Sequence, residues 1–261
     1  MGEIPAGPPL WRRLALLYYV PASALGFLLF GVGGLLLTVV SALIYFVVPS
    51  RRRSALGQRV IHTLFYVFVG YLRLARLIRF DFSAVDALRG AGPLIVAPNH
   101  PCLLDAVFII SRLPRMTCVM KARILDNPVL GGGARLAGYI RNDSPSVLIN
   151  SALAQLAAGH QLLLFPEGTR TVTAPLNELK GGFAMIATRA EVAVQIIRLE
   201  TSSGFLGKCW NWSQLPNFPL HYRATLGECL MPEPEENSRA FMERVRSSML
   251  RTMPDIGNGC D

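Results

Sequence analysis

The sequence predicts an α/β fold, a mixed, mostly parallel sheet with flanking helices, preceded by an N-terminal membrane-associated helical segment. Two observations carry that prediction. From Asp81 onward, short apolar runs alternate with helix-like segments, the rhythm of strands joined by crossover helices. Before it, residues 14–48 contain no charged residue at all. With 261 residues, the chain divides into residues 1–80, an anchoring segment, and residues 81–261, an α/β domain.

Taken in order, the charge-free run comes first. As one straight helix it would be about 50 Å long, more than the roughly 30 Å of bilayer hydrocarbon, yet it is too short for two full spans. Two solutions follow. Either Pro21 ends an interfacial turn and residues from about 24 to 47 form one tilted span, or Gly31, Gly33 and Gly34 break the run into a re-entrant hairpin. The run far exceeds the ~7–15 residue core of a signal peptide and no A-x-A site follows, which argues against cleavage. Arg12 and Arg13 precede it while Arg51, Arg52, Arg53 and Arg59 follow, so the domain is expected on the cytoplasmic face. Residues 54–80 carry arginines among aliphatic and aromatic residues and no acid. They read as a basic amphipathic helix on an anionic membrane surface, or as a helix packed on the domain.

Composition points the same way. Hydrophobic residues make up 51% of the chain and charged residues 16%, and the formal net charge is +9. That charge suits an anionic bilayer, a nucleic acid or a phosphate-bearing substrate. The basic residues gather beside the apolar segment, which argues against nucleic acid as a partner. Five cysteines without CxxC spacing support neither a zinc site nor a disulfide scaffold, so reduced thiols are expected and no metal is assigned.

Within the domain, residues 93–98, 116–120, 161–165, 192–199 and 222–226 read as strands, and residues 101–112, 144–158 and 182–189 as helices. A last amphipathic helix, capped by Asn237 or Ser238, sets Phe241, Val245 and Met249 on one stripe.

Two of the strands end in blocks that carry chemistry. Asn99-His100-Pro101-Cys102-Leu103-Leu104-Asp105 follows the first, and Phe165-Pro166-Glu167-Gly168-Thr169-Arg170 ends the third. A histidine with an aspartate five positions on supplies a general base and its orienting carboxylate at a strand's C-terminal end. Pro101 suits the first helical position, which leaves His100 outside the helix and lets its ring fold over the first turn onto Asp105. An HxxxxD spacing alone is weak, because most such spacings are accidental. The second block adds an arginine beside a Gly-Thr turn, as an anionic substrate requires, although Arg170 read alone is a surface charge and Glu167 a cap.

Together the two blocks resemble the glycerolipid acyltransferase family, and the resemblance runs from about residue 93 to 228. It implies that His100 and Asp105 are catalytic, with His100 taking a proton from an acceptor hydroxyl as it attacks a thioester, and without a covalent acyl-enzyme. It implies that Asn99 braces the loop or meets substrate, that Gly168 lets the acceptor approach, and that Glu167, Thr169 and Arg170 hold its polar head. Free N–H groups at the helix start would stabilise the oxyanion. Met120-Lys121-Ala122 with Gly138-Tyr139-Ile140-Arg141 resembles the family's middle motif, so Arg141 is expected at the acceptor's phosphate and Lys121 in the same pocket. Read without the family, Lys121 and Lys180 are ordinary helix-edge charges.

One departure bears on the acceptor. Where the family has a Val-Pro-Val-x-Pro-like block, this chain has Glu191-Val192-Ala193-Val194-Gln195-Ile196-Ile197, with neither proline, and Gln195 sits at a strand edge or contacts acceptor. Leu206-Gly207-Lys208 with Trp210, Trp212 and Pro216 resembles members of secondary-lipid and aryl-polyene pathways. The expected activity is transfer of an acyl group from acyl-CoA or acyl carrier protein, as co-substrate and with no other cofactor, to a lysophospholipid acceptor. The leading acceptor is 1-acyl-glycerol-3-phosphate, the alternative another lipid or aryl-polyene hydroxyl. A different class of function, a non-catalytic membrane scaffold or lipid carrier, would use the same fold without His100.

Overall fold

The computed structural model describes residues 10–173, 175–211 and 216–252, with side chains from residue 15 onward. Two long helices, α1 (Leu10–Val47) and α2 (Ser50–Leu74), precede strand β1 (Ile78–Asp81) and a 3-10 turn at Ser83–Leu88. Then come β2 (Ile95–Pro98), α3 (Asp105–Ile110), β3 (Met116–Met120), α4 (Ala122–Leu125), α5 (Gly131–Leu136) and β4 (Ile140–Arg141). The chain continues through α6 (Pro145–Ala157), β5 (Gln161–Leu163), α7 (Gly182–Ala190), β6 (Val194–Thr201), β7 (Leu220–Leu230) and α8 (Ser238–Thr252). Trp212 lies outside the described residues.

The seven strands form one sheet in the order β1-β7-β6-β2-β5-β3-β4. Strands β6, β2, β5, β3 and β4 run parallel, whereas β7 is antiparallel to β6. The central strands are apolar on both faces, as crossover helices on either side require. Val96, Leu163, Ile197 and Leu199 face a core that includes Phe108 of α3 and Ile61 and Leu72 of α2. Ile95, Leu162, Val194 and Ile196 face the opposite core, with Phe183 of α7 and the expected stripe Phe241, Val245 and Met249 of α8. Asn237 caps α8 by accepting from the N–H groups of Arg239 and Ala240 at 3.1 and 2.9 Å.

The N-terminal region is one unbroken helix, long and apolar enough to cross a membrane as the single-span solution requires, but without the turn at Pro21 and without the re-entrant hairpin. α1 is a single 38-residue helix with Pro21 inside it, and it passes Gly31, Gly33 and Gly34 unbroken. At 1.5 Å per residue it is about 57 Å long. Its continuity has a packing reason, since one flank is held along the domain. Tyr18 Oη donates to Ala75 O at 3.1 Å, Tyr71 Oη donates to Ala22 O at 2.7 Å, and Thr38 Oγ1 donates to Val129 O at 2.9 Å. A Cβ on Gly132 would stand 2.8 Å from Thr38 Cα, and one on Gly133 would collide with Leu37. The glycines of α5 thus let α1 lie against the domain. The other flank exposes Leu17, Leu28, Leu36, Leu43 and Phe46, a continuous apolar face.

α2 ends at Leu74, short of Phe80, because Arg76 takes a left-handed φ of 51° and the chain turns into β1. β1 therefore crosses the boundary set at residue 80. Of the two expectations for the basic helix, packing on the domain is seen at the buried Ile61, Val69 and Leu72, while Tyr66 and Val67 on another face are exposed. Gln195, considered for acceptor contact, is buried at the β6/β7 irregularity, where its Nε2 donates to Ile196 O and Gly227 O at 2.9 Å. Cys102, Cys118 and Cys229 are free thiols.

Candidate active site

The site forms at the C-terminal ends of β2, β5 and β3, where parallel sheets place their ligands. β2 runs out at Pro98, and Asn99 prolongs its pairing with β6 by side chain: Nδ2 donates to Leu199 O at 3.0 Å, and Oδ1 accepts from Leu199 N at 2.7 Å. Both ends of the buried amide are occupied, so Asn99 braces the strand end.

His100 is fixed from four sides. Its N–H donates to Glu167 Oε1 at 3.0 Å, and its carbonyl accepts from Thr171 N at 2.8 Å. Its ring stacks on Phe165, with centroids 4.0 Å apart and planes 24° from parallel. Its Nδ1 lies 2.9 Å from Asp105 Oδ2. The helix after this block starts later than expected, at Asp105, because residues 101–104 form a turn. The reason is the carboxylate itself: Asp105 Oδ2 accepts the Cys102 N–H at 2.8 Å as well as the imidazole. Asp105 is thus the first helical residue, and the ring meets it across the turn.

Asp105 is 1% exposed and the His100 side chain 17%. Burial pushes the Asp105 carboxyl above its ordinary value, opposed by the hydrogen bond and charge of His100, the Cys102 N–H and the field of Arg170. An ionised Asp105 holds the proton on Nδ1 and leaves Nε2 as the acceptor nitrogen. The neighbouring Cys102 is fully buried, and burial, with the Asp105 charge second, pushes its thiol up to about 12. It is no nucleophile at neutral pH.

The N–H groups expected to meet an oxyanion already have partners within the turn and at Leu206. Cys102 N–H bonds Asp105, Leu103 N–H bonds Leu206 O at 3.0 Å, Leu104 N–H meets Cys102 Sγ at 3.4 Å, and Asp105 N–H bonds Cys102 O at 3.3 Å.

The second block is a loop bolted to the first. The Glu167 carboxylate is 1% exposed and accepts from His100 N, from Thr171 Oγ1 at 2.8 Å, and from Asn177 N at 2.9 Å through Oε2. Burial raises its carboxyl above the ordinary value against those three donors. Expected at the acceptor's head, Glu167 instead anchors the His100 backbone. Gly168, with φ of 66°, and the half-buried Thr169 form the outer turn, which brings Arg170 back over the site. Arg170 Nη1 donates to the carbonyls of Leu206 and Gly207, both at 2.8 Å. Two neutral carbonyls orient this guanidinium without cancelling its charge.

Lys121, at the end of β3, joins it. Burial lowers the Lys121 pKa, and the positive charges of Arg123, Lys208 and Arg170 lower it further. Lys121 thus shares a positive field with Arg123, Lys208 and Arg170, and the charge of Arg170 also reaches Asp105, an arrangement that favours an anionic ligand. Arg141 is not among them. It stands on β4 at the sheet edge, with β5 and β3 between it and β2, and it pairs with Asp126 at 2.9 Å and Asp143 at 2.7 Å. Those two carboxylates hold its pKa well above the ordinary value and occupy the charge expected to meet a phosphate.

Sequence reasoning passed over Phe165 as the platform for the His100 ring, Asn177 as a partner of Glu167, and Leu206 and Gly207 as partners of Arg170. Only Phe165 carried a signal, its place directly before the Pro-Glu-Gly turn. Among the described residues there is no group of three metal-ligating side chains.

Residues 79–199 match the family model described as Acyltransferase. Lyso-ornithine lipid O-acyltransferase of Pseudomonas aeruginosa is 35% identical over 111 residues, 41% of this chain and 43% of that protein. 1-acyl-sn-glycerol-3-phosphate acyltransferase alpha of Homo sapiens is 27% identical over 195 residues, 69% of this chain and 65% of that one. The chain thus spans between two fifths and two thirds of the length of these relatives. The crystal structure of the 1-acyl-sn-glycerophosphate (LPA) acyltransferase PlsC from Thermotoga maritima matches with a TM-score of 0.54 at 18% identity, over 85% of this chain and 98% of that one. At that identity the likeness is one of fold.

Proposed function

We propose that this chain, whose residues 79–199 match the family model described as Acyltransferase, is a glycerolipid acyltransferase that works as an O-acyltransferase. It moves a fatty acyl group from a thioester donor, acyl-CoA or acyl carrier protein, to the free hydroxyl of a lysophospholipid. The leading acceptor is 1-acyl-glycerol-3-phosphate. The observation that carries the reading is the 2.9 Å contact of His100 Nδ1 with Asp105, set beside the charges of Arg170 and Lys121.

With Nδ1–H donated to Asp105, Nε2 accepts the proton of the acceptor hydroxyl as its oxygen attacks the thioester carbonyl carbon. The tetrahedral adduct collapses, the C–S bond breaks, and the departing sulfur takes the proton back from the imidazolium. The product is an ester and a free thiol, and His100 returns to its starting state. The acceptor's phosphate is met by Arg170 and Lys121, with Arg123 and Lys208 reinforcing the field. Arg141 has no part in this reading.

The second reading, acylation of another lipid hydroxyl, is favoured by the similarity to lyso-ornithine lipid O-acyltransferases and by the proline-free stretch at residues 191–197. The two are separated by offering the purified full chain 1-acyl-glycerol-3-phosphate, lyso-ornithine lipid, other lysolipids and hydroxylated polyenes with each donor, and weighing the products by mass spectrometry. A product only from acceptors without phosphate would replace the leading reading by the second. No product from any pair would leave the non-catalytic scaffold.

The membrane placement follows from α1. Residues 18–38 of this helix contact the domain along one flank while the other flank is apolar and exposed, which supports α1 lying along the bilayer with that flank in one leaflet, although its length and apolarity also suffice to cross. The face proposed is the cytoplasmic one.

A further inference from the structure

Leu206 is a bulky residue with φ of 59°, a left-handed conformation that only surrounding contacts sustain. Its carbonyl accepts twice, from Leu103 N in the turn between His100 and Asp105 and from Arg170 Nη1. The next carbonyl, of Gly207, takes Arg170 Nη1 as well, and a Cβ on Gly207 would stand 3.5 Å from Pro101 O. One strained turn thus holds the catalytic turn and the guanidinium together.

The same turn is tied to α1. Phe205 packs edge-on against Phe218, with centroids 6.2 Å apart, and against Trp210 at 4.7 Å. Phe218 in turn stacks on Tyr19 of α1, with centroids 4.9 Å apart and planes 22° from parallel. Tyr18, the residue before Tyr19, bonds Ala75 at the end of α2. A chain of contacts therefore runs from the helix with the apolar exposed flank, through Tyr19, Phe218 and Phe205, to the two carbonyls that aim Arg170.

We propose that the turn at residues 205–207, tied to α1 through Phe218 and Tyr19, positions Arg170 for the acceptor, so that the seating of α1 sets acceptor affinity. The inference rests on the reading of Arg170 as an acceptor-binding group. Phe218 is a positioning residue, touching neither acceptor nor donor.

The test is steady-state kinetics of the full chain in phosphatidylcholine nanodiscs, with 1-acyl-glycerol-3-phosphate as acceptor, for Phe218→Ala, Phe218→Tyr, Arg170→Ala and the Phe218→Ala/Arg170→Ala double variant. Phe218→Ala is expected to raise the acceptor KM about tenfold, with kcat and donor KM within twofold of the parent. Phe218→Tyr, which preserves the stack, is expected to restore the parent KM. In the Arg170→Ala background, Phe218→Ala should add nothing further. An impaired Arg170→Ala beside a Phe218→Ala at parent values overturns this inference alone, as does full additivity in the double variant. An Arg170→Ala with unchanged acceptor KM overturns the reading of Arg170 and the inference with it. Should Phe218→Ala not fold, Tyr19→Ala removes the same stack from the other side and is read by the same criteria.

Discussion

The backbone N–H of His100 donates to the buried carboxylate of Glu167, 67 residues away, at 3.0 Å. This bond joins the two blocks whose co-occurrence first pointed to an acyl-transfer site. Glu167 also accepts from Thr171 and Asn177, so one side chain fixes His100 and the loop that carries Arg170. Glu167→Ala leaves three donors without their acceptor and is expected to cost about 2–4 kcal/mol in urea unfolding. Glu167→Gln keeps the Oε1 contacts but turns an NH2 toward Asn177 N–H and should cost about 1–2 kcal/mol.

The same carboxyl gives a pH signature. Burial raises its folded-state pKa above the unfolded value, so between the two values the folded chain holds a proton that the unfolded chain has released. Stability therefore falls as pH rises through that window and is level above it. The difference in unfolding free energy between parent and Glu167→Gln, measured from pH 4 upward, should carry that slope. A flat difference would show Glu167 to titrate alike in both states.

Asp105→Asn is expected to lower kcat by about 10³–10⁴-fold with little change in either KM. An amide facing Nδ1 donates where the carboxylate accepted, which moves the ring proton to Nε2 and removes the base. Steady-state kinetics with unchanged circular dichroism check this. A loss seen only in KM would argue for a role in binding.

Cys102 should resist alkylation. With its thiol pushed up to about 12, roughly one molecule in 10⁴ carries the thiolate at pH 8, and burial blocks access besides. Iodoacetamide followed by peptide mass spectrometry should label the exposed Cys229 in the folded protein and leave Cys102 until denaturant is added. Cys102→Ser should retain acyl transfer within about tenfold, since the bond to Asp105 comes from its backbone N–H.

For α1, spin labels at residues 17, 28, 36 and 43 distinguish lying from crossing. An in-plane helix places all four at a similar shallow depth. A crossing helix places residues 28 and 36 deep, with residues 17 and 43 nearer the interfaces.

Much of this architecture was legible because it is written in local pattern. β3 was read to the residue, and the α8 stripe follows from apolar side chains at a fixed spacing. His100, Asp105 and the 165–170 loop came from composition at strand ends. What escaped depends on contacts between distant residues. Asp105 accepts from Cys102 N–H and so delays the helix expected from Pro101. Arg141 is claimed by Asp126, 15 residues earlier, and leaves the site. β1 is four residues long and follows a basic helix, so its Ile-Arg-Phe-Asp alternation was absorbed into that helix. α1 stays whole because Gly132 and Gly133, far along the chain, admit Leu37 and Thr38.

The central claim is that the His100 imidazole, held by Asp105, takes the proton of a lysolipid hydroxyl. Its most direct test is mass-spectrometric assay of phosphatidic acid formed from 1-acyl-glycerol-3-phosphate and an acyl thioester by the parent and by His100→Ala, in the same lipid and with matched thermal unfolding. The account predicts product from the parent and a loss of at least about 10³-fold in the variant; a folded His100→Ala that turns over at the parent's rate would contradict it.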